Sequence, residues 1–228
     1  GVVFKGPICD RALELGFGSF DAEAITLFLD ALSRTPPGMW GVEVMAGALL
    51  EELHPRLGEL SGRQAASVAR SLGHLRPQAP GVLSSVFNYA QATLEPPAEE
   101  PAEEARGLAP RHVAMLCQGI AAQPDRLLPD APARLEALLP HVSAALTQEP
   151  TAVTAAQLLG SLGRCPATPA RGLALDACAG QLARRMPDLQ APALVSLAVS
   201  LVPLAAPSSG WTPAQPMLSA LSRQLDIK

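Results

Sequence analysis

The chain has 228 residues, enough for one large domain or two small ones, and is 48% apolar but only 4% aromatic. Its core must therefore be mostly Leu, Ala and Val, a mixture that suits close-packed helices better than sheets. A net charge of −4, from 17 basic and 21 acidic residues, excludes the basic excess of an autonomous nucleic-acid binder, and the frequent interruption of the apolar runs excludes a membrane span of about 20 residues.

In chain order, residues 7–17 read as the second helix of an incomplete unit within 1–20. Five fuller units follow, starting at Asp21, Ser61, Ala109, Thr151 and Gln190. Four residues after each start stand Ile25, Ala65, Val113, Ala155 and Leu194. Seven after stand Phe28, Val68, Leu116, Leu158 and Leu197. Eight after stand Leu29, Ala69, Cys117, Leu159 and Ala198; eleven after, Leu32, Leu72, Ile120, Leu162 and Leu201. All of these are apolar, and the four offsets trace one stripe of a 3.6-residue helix. Asp21, Ser61 and Thr151 have oxygens able to cap a helix N-terminus. Pro110 and Pro192 fall in the first turn, where proline costs little.

Each first helix ends in a Gly- or Pro-bearing turn: "RTPPG" (34–38), "GHLRPQAPG" (73–81), "AAQPDRLLPD" (121–130), "GRCPATPARG" (163–172) and "PLAAPSSG" (203–210). A second apolar helix follows each turn, over 39–54, 82–94, 131–147, 172–186 and 213–225. "SLG" closes the first helix at 71–73 and again at 161–163, and Gly73 and Gly163 are expected to supply the left-handed closing residue. The unit starts lie 40, 48, 42 and 39 residues apart. The longest spacing contains an insertion at 95–107, read as a flexible acidic surface loop, with docking onto a basic partner as the alternative. The expected fold class is all-α: an α-solenoid of five helical-hairpin repeats, forming a single domain over 1–228.

Little in the sequence suggests chemistry. Cys9, Cys117, Cys165 and Cys178 lie in apolar surroundings without CxxC pairing, so free buried thiols and a reducing compartment are expected. The histidines at 54, 74, 112 and 141 have no second ligand at metal-binding spacing. "GFGSF" (16–20) lacks the pattern and the preceding strand of a dinucleotide site, and neither a phosphate loop nor a nucleophile elbow is present. Arg184 and Arg185 read as a helix C-terminus. No enzymatic role, metal or cofactor is expected.

The phrases "QAASVARSLGHLRPQAPGVLSSV" (64–86) and "TAAQLLGSLGRCPATPARGLALDACAGQL" (154–182) resemble the organellar helical-repeat proteins. These are the octotricopeptide repeats of algae and the heptatricopeptide repeats of FAST-kinase-like and RAP-domain proteins. Fainter echoes lie at 23–50 and 195–207. The resemblance implies a mitochondrial protein (a plastid one in the alternative) that binds RNA along its repeats, some family members being built into mitochondrial ribosomes. No RAP domain follows the repeats in this chain.

RNA would meet the exposed side of the first helices, because the apolar stripe is occupied by packing. Offset 2 reads Glu23, Arg63, Arg111, Val153 and Pro192, and offset 9 reads Asp30, Arg70, Gln118, Gly160 and Val199. The candidate RNA-binding residues are Arg63, Arg70, Arg111 and His112, with Arg76 and Arg164 in turns, since arginine pairs with phosphate or stacks on a base. Tyr89 and Trp211 read as core or rim. The expected partners are RNA, ribosomal RNA first, and neighbouring proteins of a large assembly, without membrane insertion. The alternative is a protein–protein scaffold of the HEAT or armadillo kind.

Overall fold

The computed structural model describes residues 11, 14, 16–36, 41–77, 79–94, 109–206, 209–213 and 215–227. Most of the expected helix at 7–17 and the whole insertion at 95–107 fall outside them. Among the described residues there are eleven α-helices and no strand, so the fold is all-α. The chain divides into two compact units, Gly1–Gly107 with Ala122–Pro129, and Leu108–Ala121 with Asp130–Lys228.

The first unit holds α1 (Ala22–Ser33), α2 (Val42–Leu53), a 3-10 turn at His54–Glu59, α3 (Gly62–Leu75) and α4 (Pro80–Ala92). Helix α1 packs beside α3, and each packs on its own hairpin partner, α2 and α4. Local capping starts the first helices. Asp21 Oδ1 accepts from the Ala24 amide at 2.7 Å. Ser61 and Gln64 form a reciprocal capping box, which satisfies amides that the helix itself cannot.

The second unit holds α5 (Pro110–Ala121), α6 (Ala131–Ala137), α7 (Leu139–Thr147), α8 (Ala152–Leu162), α9 (Pro169–Arg185), α10 (Ala191–Leu204) and α11 (Gln215–Ile227). Here α8 packs on α5 and α10 on α8, while α9 packs on α7 and α11 on α9. Thr151 and Thr168 cap α8 and α9 through their hydroxyls.

The apolar stripe forms the core as its period requires. Of the positions at offsets 4, 7, 8 and 11, all but Phe28, Leu32 and Ala198 are buried. Burying each leucine among them contributes about 2 kcal/mol.

Three local expectations differ from the structure. The helix expected over 131–147 is two helices, because Pro140 has no amide to donate across the break at Leu138. Gly73 does not end its helix: α3 continues to Leu75, which is buried, and the left-handed residue is Arg76, with φ 47°. Gly163 caps α8 in right-handed conformation, with φ −57°. A Cβ there would stand 3.2 Å from the Gly160 carbonyl oxygen and 3.7 Å from Leu204 Cγ on α10.

Candidate nucleic-acid interface

In the first unit, Arg63, Arg70 and His74 are seven and four residues apart on α3. That spacing returns to the same side of a helix, so the three define a row about 16 Å long. Arg63 is exposed and borders a groove of about 500 Å³ between α1 and α3, together with Glu23, Thr26, Asp30 and Ser67. Arg70 sits deeper, with its side chain one-third exposed. Its Nη2 donates to Asp30 Oδ1 at 2.9 Å, and the other oxygen of Asp30 takes Arg34. One carboxylate thus faces two guanidinium groups, and Arg70 is engaged within the unit. Arg76 is exposed just beyond the helix end.

His74 belongs to this row, although sequence reasoning did not place it among the candidates. Its pKa is lowered first by burial and then by the charges of Arg70 and Arg76. The two guanidinium charges add to the effect of partial burial, because like charges disfavour a protonated imidazole. The signal was present in sequence as "ARSLGHLR" (69–76), whose cations recur on adjoining turns.

In the second unit, Arg111 is exposed and His112 is not. His112 is only 8% exposed, and its Nε2 accepts from Arg111 Nε at 3.2 Å. The expectation that His112 lies on an open helix face is therefore corrected: offset 3 turns toward the interior on α5. Arg164 is half-buried, and its Nη1 donates to the Ala121 carbonyl at 2.8 Å. It satisfies a carbonyl at the end of α5 that has no intrahelical partner.

Arg171 shows the same behaviour more strongly. It is 4% exposed, donates from Nε to the Leu162 carbonyl at 2.9 Å and from Nη1 to the Ser209 carbonyl at 2.7 Å. It thereby fastens the end of α8 to the turn after α10. Two arginines at turns or helix ends act likewise within their own units: Arg56 on the Phe20 and Gly18 carbonyls and Arg185 on the Pro150 carbonyl. Among the described residues, arginines thus bond to carbonyls of turns and helix ends, pair with carboxylates as Arg34 and Arg134 do, or line the outer side of α3.

The two aromatic residues that the sequence left as core or rim are both held within the fold. Trp211 is buried, and its Nε1 donates to Asp176 at 2.8 Å; Tyr89 is half-buried, and its hydroxyl donates to the Leu60 carbonyl at 2.7 Å. Cys117, Cys165 and Cys178 are buried free thiols. Burial is the main cause that pushes them up to about 12, 11 and 12 respectively, so none is a thiolate near neutrality. Cys9 lies outside the described residues. Among the described residues no three His, Cys, Asp or Glu side chains gather as metal ligands, and no helix is long and apolar enough to cross a membrane. No protein-family model matches the chain, and no curated protein is detectably similar to it in sequence.

Proposed function

We propose that the chain is a non-enzymatic helical-repeat protein of the organellar kind, its hairpins stacked as an α-solenoid, that binds RNA within a mitochondrial ribonucleoprotein such as the mitochondrial ribosome. The observation that carries this reading is the cationic row of α3. Arg63 and Arg76 are exposed, Arg70 is partly so, and His74 between them is held low in pKa by burial and by its arginine neighbours. Guanidinium groups on one helix side, as Arg63 and Arg70 are, with a third just beyond the helix end, suit successive phosphates of a single strand. The near-neutral chain needs no large affinity of its own where an assembly supplies other contacts.

The test is fluorescence anisotropy with a single-stranded RNA oligonucleotide across salt concentrations. Three phosphate contacts would give a slope of log affinity against log salt of about −2. Replacing Arg63, Arg70 and Arg76 by Gln should flatten that slope and weaken binding about tenfold. Equal slopes for parent and variant would remove the reading.

A second reading, a protein–protein scaffold, is favoured by the pairing of Arg70 with Asp30. It predicts sedimentation of the native protein with a complex that RNase leaves intact.

A further inference from the structure

Part of the polar lining of the groove between α1 and α3 is already bonded within the unit. Asp30 takes Arg34 and Arg70, Gln64 Oε1 accepts from the Ser61 amide and hydroxyl, and the Thr26 hydroxyl donates to the Ala22 carbonyl. Glu23, Arg63 and Ser67 border the same groove, and among the described residues their side chains have no ion pair or hydrogen bond. Glu23 and Arg63 each stand at offset 2, on two helices that pack together, yet they do not pair with each other. Opposite charges that share a groove without meeting suit a ligand that bridges them.

For a chain that binds RNA as proposed above, the reading on which this inference rests, the bridging ligand is a nucleotide of the strand. The groove volume of about 500 Å³ is in the range of small-molecule sites. The phosphate goes to Arg63, and the base enters with one face on Leu27, which lines the groove one turn beyond Glu23 and is 64% exposed. The base edge then meets Glu23. An ionised carboxylate only accepts, through two adjacent oxygens, and an unpaired base has its Watson–Crick edge open. Guanine presents two neighbouring donors there, N1–H and its N2 amino group. Adenine and cytosine set an acceptor nitrogen beside the amino group, and uracil flanks its one N–H with two carbonyl oxygens. Each of those bases turns a lone pair towards the carboxylate and is rejected.

We propose that this groove is a subsite for one unpaired guanine of the bound strand, and that Glu23 is the residue that selects it. Arg63 holds any nucleotide by its phosphate. Glu23 adds a pair of hydrogen bonds for guanine and repulsion for the other bases. The carboxylate therefore lowers affinity for a strand without guanine, which separates a selecting residue from an ordinary solvated glutamate.

The experiment is fluorescence anisotropy with oligouridine strands of equal length whose central residue is uridine, adenosine, guanosine or inosine. Inosine keeps N1–H and lacks the N2 amino group. The guanosine strand should bind about tenfold more tightly than the uridine or adenosine strand, with inosine between them. In Glu23→Gln, whose amide offers one donor and one acceptor, the guanosine preference should fall to about twofold or less, and the all-uridine strand should bind at least as tightly as it does to the parent. Glu43→Gln, at an exposed carboxylate in the first turn of α2, should keep the parent's preference. Salt-dependent binding of equal strength to every strand overturns the subsite and leaves the RNA reading standing. A guanosine preference that survives in Glu23→Gln overturns the assignment of Glu23, and no binding of any strand removes both the subsite and the RNA reading.

Discussion

Arg63 and Arg171 place the same side chain in opposite settings. Arg63 stands on the second position of a first helix, exposed beside a groove, with no contact that fixes its guanidinium to a helix end. Arg171 stands at the start of a second helix, nearly inaccessible, with carbonyls of two different segments on its nitrogens. The comparison shows that the frequency of arginine says little about RNA. Position relative to helix ends decides, because the last carbonyls of every helix need donors and a long planar cation in a turn can reach them.

The largest expected effect tests the buried side of that comparison. Arg171→Met removes two charge-assisted hydrogen bonds and leaves the Leu162 and Ser209 carbonyls without this donor. It should cost about 3 kcal/mol, read as a lower urea midpoint. Arg164→Met, at a half-buried position where the bond to the Ala121 carbonyl is lost, should cost less, about 1 kcal/mol. A loss for Arg171→Met no greater than for Arg164→Met would erase the distinction. On the exposed side, Arg63→Met should change stability by less than about 0.5 kcal/mol while weakening RNA binding about fivefold, as loss of one phosphate contact implies. The two measurements should therefore move in opposite patterns at the two arginines.

The periodic features of this architecture were legible in sequence, and those that depend on one neighbour were not. The stripe from Ile25 to Leu201 announced every first helix, since burial acts on a whole face at once and leaves a 3.6-residue period. The N-cap oxygens of Asp21, Ser61 and Thr151 marked the helix starts for an equally local reason. Gly73 and Gly163 were misread because a glycine after a helical run need not be the left-handed residue: the burial of Leu75 carries α3 past Gly73 to Arg76, and Gly163 keeps right-handed geometry. At the candidate site, Arg63 and Arg111 are exposed as their offset suggests, and Arg76 is exposed beyond the helix end. The burial of His112 depends on how α5 is rotated. The engagement of Arg70 depends on a carboxylate forty residues away, and that of Arg164 on a carbonyl forty-three away. Nothing local encodes those partners.

Asp30 allows the comparison to be sharpened without touching an arginine. Its carboxylate faces both Arg34 and Arg70. Asp30→Asn would remove the countercharge, leaving Arg70 to bond phosphate without a competing carboxylate and adding Arg34 to the cations at hand. RNA affinity should rise about threefold and its salt dependence should steepen, while stability falls by no more than about 1 kcal/mol for a partly exposed pair. Unchanged RNA affinity in this variant would indicate that α3 is not the surface in use, and would move weight to the scaffold reading.

The smallest effect is the pH dependence contributed by His74. Burial, then Arg70, then Arg76 lower its pKa from 6.5, so between that value and its lower folded value the unfolded chain binds more protons than the folded one. Stability from this group is complete above pH 6.5 and is lost as pH falls through the folded pKa. Bound phosphate acts in the opposite sense, because an anion beside the imidazole favours its protonated form. RNA affinity should therefore rise modestly, about twofold, as pH falls from 7.5 to below 6.5, in the range where the free protein begins to lose stability. His74→Gln should abolish both trends while leaving affinity at pH 7.5 unchanged. The two slopes are measured by anisotropy and by urea unfolding on the same samples. If affinity fell with pH in step with stability, His74 would be a structural neighbour of the arginines and would not face the strand they hold.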